Sequence, residues 1–253
     1  MTDLLITFYL SYAIVFVITI GYVHRHLAHK TIEYSVAMVI ISKTLIWLTS
    51  PFKYDIYYGR NWIARHIKHH MNSDTIDDPH SPYFRDATKS IKLPVSEITE
   101  ILKNTNSQAP VTALDKFFEK YPYGILILTV ISLIQFGWLG LLFPIFLGYM
   151  VKFVIRYGNH VLHVWPGYKH KSQKDQARNM PWFFWISFGE ELHSNHHVNP
   201  GSPNLGIRWW EFDVTYLFMK ILSWVKLVKI NNVDNINNTN LNDIEMVGYG
   251  SKQ

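Results

Sequence analysis

The chain has 253 residues, of which 17% are charged and 15% aromatic, and it carries a formal net charge of +5. Soluble domains hold roughly 25% charged residues, so this composition argues against an ordinary soluble enzyme. The absence of cysteine excludes a disulfide framework, thiolate zinc sites, iron–sulfur clusters and cysteine nucleophiles, which throws weight onto the 13 histidines.

Residues 4–23 contain no charged side chain, and twenty residues at about 1.5 Å each match a hydrocarbon core of roughly 30 Å. They predict a transmembrane helix. The flank Met1-Thr2-Asp3 lacks the basic region of a signal peptide. Residues 36–49 are apolar but interrupted by Lys43 and closed by Pro51, which predicts a half-inserted or interfacial helix. Residues 121–151 are again free of charge and predict, with the residues up to 158, two tilted spans at 121–137 and 139–158 that turn near Gln135 to Gly140. Lys152 and Arg156 would snorkel to the interface. Residues 180–188 read as an aromatic interfacial segment, residues 205–229 as an amphipathic surface helix, and the Asn-rich tail, 230–253, as disordered. All 24 Lys and Arg follow His24, so the positive-inside rule puts the regions between and after the spans in the cytosol and the N-terminus opposite. The expected fold class is therefore an all-α integral membrane protein, residues 1–229 forming one domain. It has about three transmembrane helices, half-inserted or interfacial helices, and a cytosolic helical cap over 52–120 and 159–229.

Four histidine clusters fall on that cytosolic side. His66, His69 and His70, and again His193, His196 and His197, follow H-x-x-H-H, whose i, i+3 and i+4 positions share a helical face. Each is expected to present three imidazoles to one point. His24 and His29 are five apart, about 140° on an ideal helix, so the pair must straddle a helix end or a bend, and His26 competes for the same role. Asn159 and His163 sit at i, i+4 at the end of the last span. His24, His29, His66, His69, His70, His163, His193, His196 and His197 make nine imidazoles, too many for one metal and suited to two at four or five each. Imidazole ligation leaves iron, zinc, copper and nickel open. Apolar helices beneath such a site suggest oxidative chemistry on a lipid chain, since an alkyl group offers no acid–base handle and needs metal and dioxygen. Asp77, Glu190 and Glu191 are candidates to orient ring N–H groups, His80 reads as a loop hydrogen-bonding group, and His160 and His170 as surface groups.

At His24-x4-His29, Trp62 to His70, Ser73 to His80, Asn159-x3-His163 and Gly189 to His197 the sequence resembles the membrane fatty-acyl desaturases, specifically the acyl-CoA delta-9 (stearoyl-CoA) group. The resemblance runs from about Gly21 to Lys229. It implies a di-iron centre held by the nine histidines, with Asn159 reaching a metal through water, and a kinked tunnel for the acyl chain. It also implies O2-dependent dehydrogenation of a fatty-acyl substrate, carried as a CoA thioester or in a lipid, with electrons from an external donor such as ferredoxin or cytochrome b5. No flavin fingerprint or haem module is visible, and a basic cap of Lys68, Lys169, Lys171, Lys174, Arg178 and Lys226 would attract an acidic donor. The chain departs from the family in starting at the counterpart of its second span, in Asn61 beside Trp62, in Ser81 to Arg85, and in Glu191, which would add a carboxylate near the metals.

A hydroxylase of the same histidine-box superfamily is the nearest rival. A metal-binding membrane transporter would need ionisable groups within its spans, and the two longest apolar stretches hold none. The positive-inside bias accounts for the net charge, and no nucleic-acid motif accompanies it.

Overall fold

Apart from Asp3, the first helix has no charge and no helix breaker until it meets the first histidines. α1 (Thr2–Ile20) continues directly into a π-helical segment, Gly21–Ala28. In a computed structural model, which describes residues 2–50, 54–86, 91–105, 107, 109–231 and 244–248, the chain is mainly helical. Residues Asp3–Ala28 and Gly124–Val164 are long and apolar enough to cross a membrane.

After the π segment, β1 (Ile32–Tyr34) leads into α2 (Val36–Leu48), where the Ser35 side chain caps the helix by accepting from Met38 N. α3 (Ile56–Asn72) carries the first H-x-x-H-H box. α4 (Val95–Asn104) and α5 (Ala113–Lys120) follow, the latter started by a capping box between Thr112 and Asp115. Lys43, the charge that interrupts α2, is buried against Asp115 Oδ2 at 2.5 Å, and Tyr54 donates to Asp115 Oδ1 at 2.9 Å.

α6 (Gly124–Phe136) ends where a turn is expected, in a 3-10 segment, Gly137–Leu141, and α7 (Leu142–Val164) packs back against α1. Gly137 takes φ 59°, and a Cβ at Gly140 would sit 2.1 Å from Ser132 O, so the reversal needs glycine at both positions. α6 has 13 residues, about 20 Å, and by itself falls short of the hydrocarbon thickness. Leu5, Leu10 and Ile14 of α1, Leu126, Val130 and Ile134 of α6, and Leu142 and Ile145 of α7 form an exposed apolar band. Large apolar side chains exposed on three helices are suited to contact with lipid or a partner.

The cap is held by two small antiparallel sheets. β1 pairs with β3 (Val228–Ile230), Ile32 opposite Ile230. β2 (Gly167–His170) pairs with β4 (Ile244–Val247), so four residues of the tail expected to be disordered form a strand, while 232–243 and 249–253 lie outside the described residues. The aromatic segment expected at 180–188 contains a 3-10 turn (Pro181–Phe183) and α8 (Phe184–Ser187), and Trp182, Phe184 and Trp185 are exposed. α9 (His193–Val198) carries the second box. The amphipathic helix expected over 205–229 is shorter, α10 (Val214–Trp224). The Asp213 side chain caps its start by accepting from Tyr216 N, and Glu211 and Asp213 fasten the preceding loop through Ile207 N, Arg208 N and Leu205 N.

Candidate metal centre

The π segment is what joins His24 to His29. A π-helix bonds i to i+5, and His29, the C-cap of this segment, donates its N–H to His24 O at 3.0 Å, so the pair straddles a helix end as expected, with the π geometry bringing the two rings together. His26 is drawn out of the competition, its ring stacked on Tyr34 with centroids 5.3 Å apart and its Nδ1 near Ile32 O.

All nine histidines converge, in two groups. His24, His29, His66, His70 and His196 form one, His69, His163, His193 and His197 the other, and within each the potential ligand atoms lie within 4.8 Å of one another. The expectation that each H-x-x-H-H box serves one point is corrected. His66 and His70 face the first group while His69 faces the second, and His193 and His197 face the second while His196 faces the first. The reason is angular: positions i and i+4 differ by about 40° around a helix, whereas i+3 lies about 100° from i+4. Two boxes on facing helices, α3 and α9, therefore interlock, each lending one ring to its partner's group.

Nε2 atoms face Nε2 atoms throughout. In the first group they are 2.8 Å apart for His29 and His66, 2.9 Å for His70 and His196, and 3.0 Å for His24 and His196. In the second they are 3.1 Å for His163 and His193, 3.1 Å for His193 and His197, and 3.2 Å for His69 and His197. Asn159 Oδ1 stands 3.1 Å from His193 Nε2, beside the second group.

Carboxylates fix which nitrogen carries the proton. His69 Nδ1 lies 2.8 Å from Asp78 Oδ2, His197 Nδ1 2.8 Å from Asp175 Oδ2, His163 Nδ1 3.0 Å from Asp74, and His24 Nδ1 2.5 Å from Glu190 Oε2. With the proton on Nδ1, each Nε2 turns a lone pair inward. Burial, reinforced by neighbouring imidazoles, holds His29, His66, His70, His193 and His196 well below the ordinary histidine range. It lowers His197 to about 4 although Asp175 pulls the other way. Neutral imidazoles with lone pairs about 3 Å apart repel unless a cation sits between them. Ligands at about 2.1 Å and right angles around a metal would be about 3 Å from one another, so the donor set fits metal ions.

Among the predicted orienting groups, Glu190 touches His24 and also accepts from Arg25 Nη2 at 3.0 Å. Burial alone would raise its carboxyl, but the adjoining His24 and Arg25 hold it at about 2. Asp77 is corrected: it is exposed, and its neighbour Asp78, fully buried, makes the contact. Glu191 is corrected as well. Its Oε2 accepts from Ser187 Oγ and Gly189 N, each at 2.8 Å, and burial pushes the carboxyl up to about 8, so it adds no charge toward the histidines. The His80 carbonyl accepts from Asn159 Nδ2 at 3.3 Å. His170, expected at the surface, is buried with Nε2 2.9 Å from Asn195 Oδ1, while His160 is half-buried.

Sequence reasoning missed Asp74, Asp78, Asp175 and the buried Arg25, which joins Glu190 to Asp213 through 2.8 and 3.0 Å contacts. The i, i+4 spacing of Asp74 and Asp78 within the segment Ser73 to His80 was the available signal. Lys169 and Arg178, placed in the expected basic patch, are both buried, which leaves Lys68, Lys171, Lys174 and Lys226 toward solvent, Lys68 half-buried on Glu97.

A cavity of about 690 Å³, within the range of about 300–1,000 Å³ typical of ligand sites, borders the clusters through Trp62, which stacks on His66, and Asn159, beside His193. Trp62, Ile63, Val151 and Ile155 line it, with His80 and Asn159 among its polar lining and Lys43, Tyr54 and Asp115 also at its wall.

A helical, membrane-type chain with two buried imidazole clusters near a largely apolar cavity that also carries charged groups such as Arg60, Arg65 and Arg156 defines a candidate metal-dependent lipid enzyme. No family model matches the chain. It is 29% identical over 229 residues to the sn-1 stearoyl-lipid 9-desaturase of Synechocystis sp., a match covering 84% of this chain and 66% of that protein. It is 27% identical over 215 residues to the Delta-9 desaturase-like 4 protein of Arabidopsis thaliana, covering 79% and 67%. It is also 28% identical over 232 residues to the sn-2 palmitoyl-lipid 9-desaturase of Nostoc sp., covering 84% and 75%. The chain thus spans about two thirds to three quarters of the length of these curated relatives. It is a homologue of the fatty-acyl desaturases, which are oxidoreductases.

Proposed function

We propose that the chain is an O2-dependent acyl-chain desaturase that places a cis double bond in a saturated chain, with two iron ions as its metals. The observation that carries this reading is the pair of inward-facing imidazole clusters beside the cavity, in a chain whose relatives are named 9-desaturases. His24, His29, His66, His70 and His196 would hold one iron, and His69, His163, His193 and His197 the other, with Asn159 beside it. When bound, the irons supply the redox chemistry that lets O2 remove hydrogen from an unactivated alkyl group.

The protein's own contribution is orientation and exclusion of water. Asp74, Asp78, Asp175 and Glu190 hold the ring protons on Nδ1, away from the metal-facing nitrogens. Trp62 stacks on His66 with planes 4° apart and fills the wall between the cluster and the cavity. An acyl chain in this cavity is held along apolar side chains of the π segment, α3 and α7, among them Val23, Leu27, Trp62, Ile63, Val151 and Ile155, which fixes the carbons presented to the clusters. Overall, one O2 with two electrons and two protons takes up two hydrogens from the chain, giving an alkene and two waters. The electrons come from a separate donor such as ferredoxin or cytochrome b5. The names of the relatives favour a lipid-bound acyl chain over a CoA thioester. Residues 1–229 form the membrane domain with about three spans and the histidines on the cytosolic side, opposite the N-terminus.

Fatty-acid profiling of cells expressing the chain tests this reading. New monounsaturated chains should appear with the unaltered protein and vanish with His66→Ala or His193→Ala. Profiles identical to those of cells without the chain, from protein loaded with iron and supplied with a reduced donor, would refute it.

A further inference from the structure

Two cations that the sequence places at the surface are buried, and both are met by the last described segment of the chain. Lys169 in β2 is 1% exposed and faces Glu245 in β4, its directly paired cross-strand residue, with Nζ 3.8 Å from Glu245 Oε1. On its other side the same Nζ donates to Asp175 O at 3.2 Å, and Asp175 is the residue that holds His197 Nδ1. Arg178 is fully buried, and its Nη1 lies 2.8 Å from three carbonyl oxygens, those of Val164 and Trp165 at the end of α7 and that of Gly248 just after β4. Val164 follows His163. β2 in turn fastens α9: His170 N donates to Ser194 Oγ at 3.2 Å, and His170 Nε2 lies against Asn195 Oδ1 between His193 and His196.

The two paths from Lys169 through Asp175 and from Arg178 through the end of α7 end at the four-histidine group. Asp175 leads to His197 and the end of α7 to His163, while β2 leads through α9 to His193 and His197 and also to His196 of the five-histidine group. The five-histidine group is tied chiefly through the π segment, Glu190, Arg25 and Asp213.

We infer that the C-terminal strand, residues 244–248, is a positioning strap for the four-histidine metal site, with Glu245 and the Gly248 carbonyl holding Lys169 and Arg178 against the loops that carry His163 and His197. The physical reason is the cost of an unpaired buried charge. Without the strand, Lys169 loses its paired carboxylate and Arg178 one of its carbonyl acceptors, and relaxation toward water moves the Asp175 loop and the end of α7 with them. This inference rests on the metal-centre reading above.

The test is iron stoichiometry of detergent-purified protein reconstituted with ferrous iron, for the full chain, a chain ended after Asn231, and Glu245→Lys, each checked by size-exclusion elution. The full chain should bind about two irons and the shortened chain about one, with Glu245→Lys reduced in the same direction. Adding His29→Ala, which disables the five-histidine group, should leave about one iron on the full chain and essentially none on the shortened chain. Two irons retained by both the shortened chain and Glu245→Lys would overturn the strap. Should the shortened chain aggregate, Glu245→Lys, which keeps the strand pairing, decides. A full chain that binds no iron would instead refute the metal-centre reading itself.

Discussion

Asp78→Asn is the substitution whose effect can be worked out most fully. Asp78 is 0% exposed, and its carboxylate serves three donors: Oδ2 accepts from His69 Nδ1 at 2.8 Å and from Asp74 N at 2.9 Å, and Oδ1 accepts from His80 N at 2.7 Å. An amide offers one oxygen and one NH2 group to the same three donors, so at least one of them meets another donor. If that donor is His69, its ring must move the proton to Nε2, the atom 3.2 Å from His197 Nε2, and the lone pair needed by the metal is lost. Loss of such an outer partner costs about 10–100-fold in metal affinity, equivalent to about 1.4–2.7 kcal/mol. Chelator competition on iron-loaded protein should show one of the two irons weakened by that factor and the other unchanged. Asp77→Asn, which alters an exposed carboxylate, should bind both as the unaltered chain does. Equal weakening by the two substitutions, or none by Asp78→Asn, would refute the assignment of the proton to Nδ1.

Three further outcomes follow from the same structure. Asp115→Ala leaves Lys43 Nζ, Tyr54 OH and Thr112 N without their buried acceptor and should destabilise the protein by about 3–5 kcal/mol, whereas Lys43→Met with Asp115→Leu should recover most of that loss; thermal unfolding in detergent that shows equal losses for both would contradict the pairing. A cysteine introduced at Thr2 in this cysteine-free chain should label from the side opposite the histidines, and labelling from the cytosolic side would reverse the proposed topology. Purified protein given NAD(P)H and acyl substrate without a separate donor should not turn over, and turnover under those conditions would remove the need for one.

The nine histidines were legible because their spacing is a property of helices, and both H-x-x-H-H boxes do lie on helices, α3 and α9. How they divide was not, since the 100° between i+3 and i+4 acquires meaning once a second helix faces the first. The i, i+5 pair His24 and His29 signalled a helix end or a bend, and the structure has the helix end, with His29 capping a segment whose π character the spacing alone did not specify. The carboxylates escaped for another reason. Asp74 sits at φ 62° in a turn and reaches His163 across 89 residues, and Asp175 lies in a loop with no motif of its own. Choosing Asp78 over Asp77 requires knowing which of two adjacent side chains the turn points inward. Lys169 and Arg178 read as surface cations because Glu245 and Gly248, which meet them, come from a stretch whose composition carries no structural signal.

The central claim, that the chain desaturates an acyl chain without adding oxygen to it, with these histidines as the site that would hold the metals, is tested most directly by gas chromatography–mass spectrometry of lipids from expressing cells grown under 18O2. The account predicts new cis-monounsaturated chains that carry no label and that disappear with His193→Ala. Labelled hydroxy-acyl chains as the main product would contradict it and establish a hydroxylase in its place.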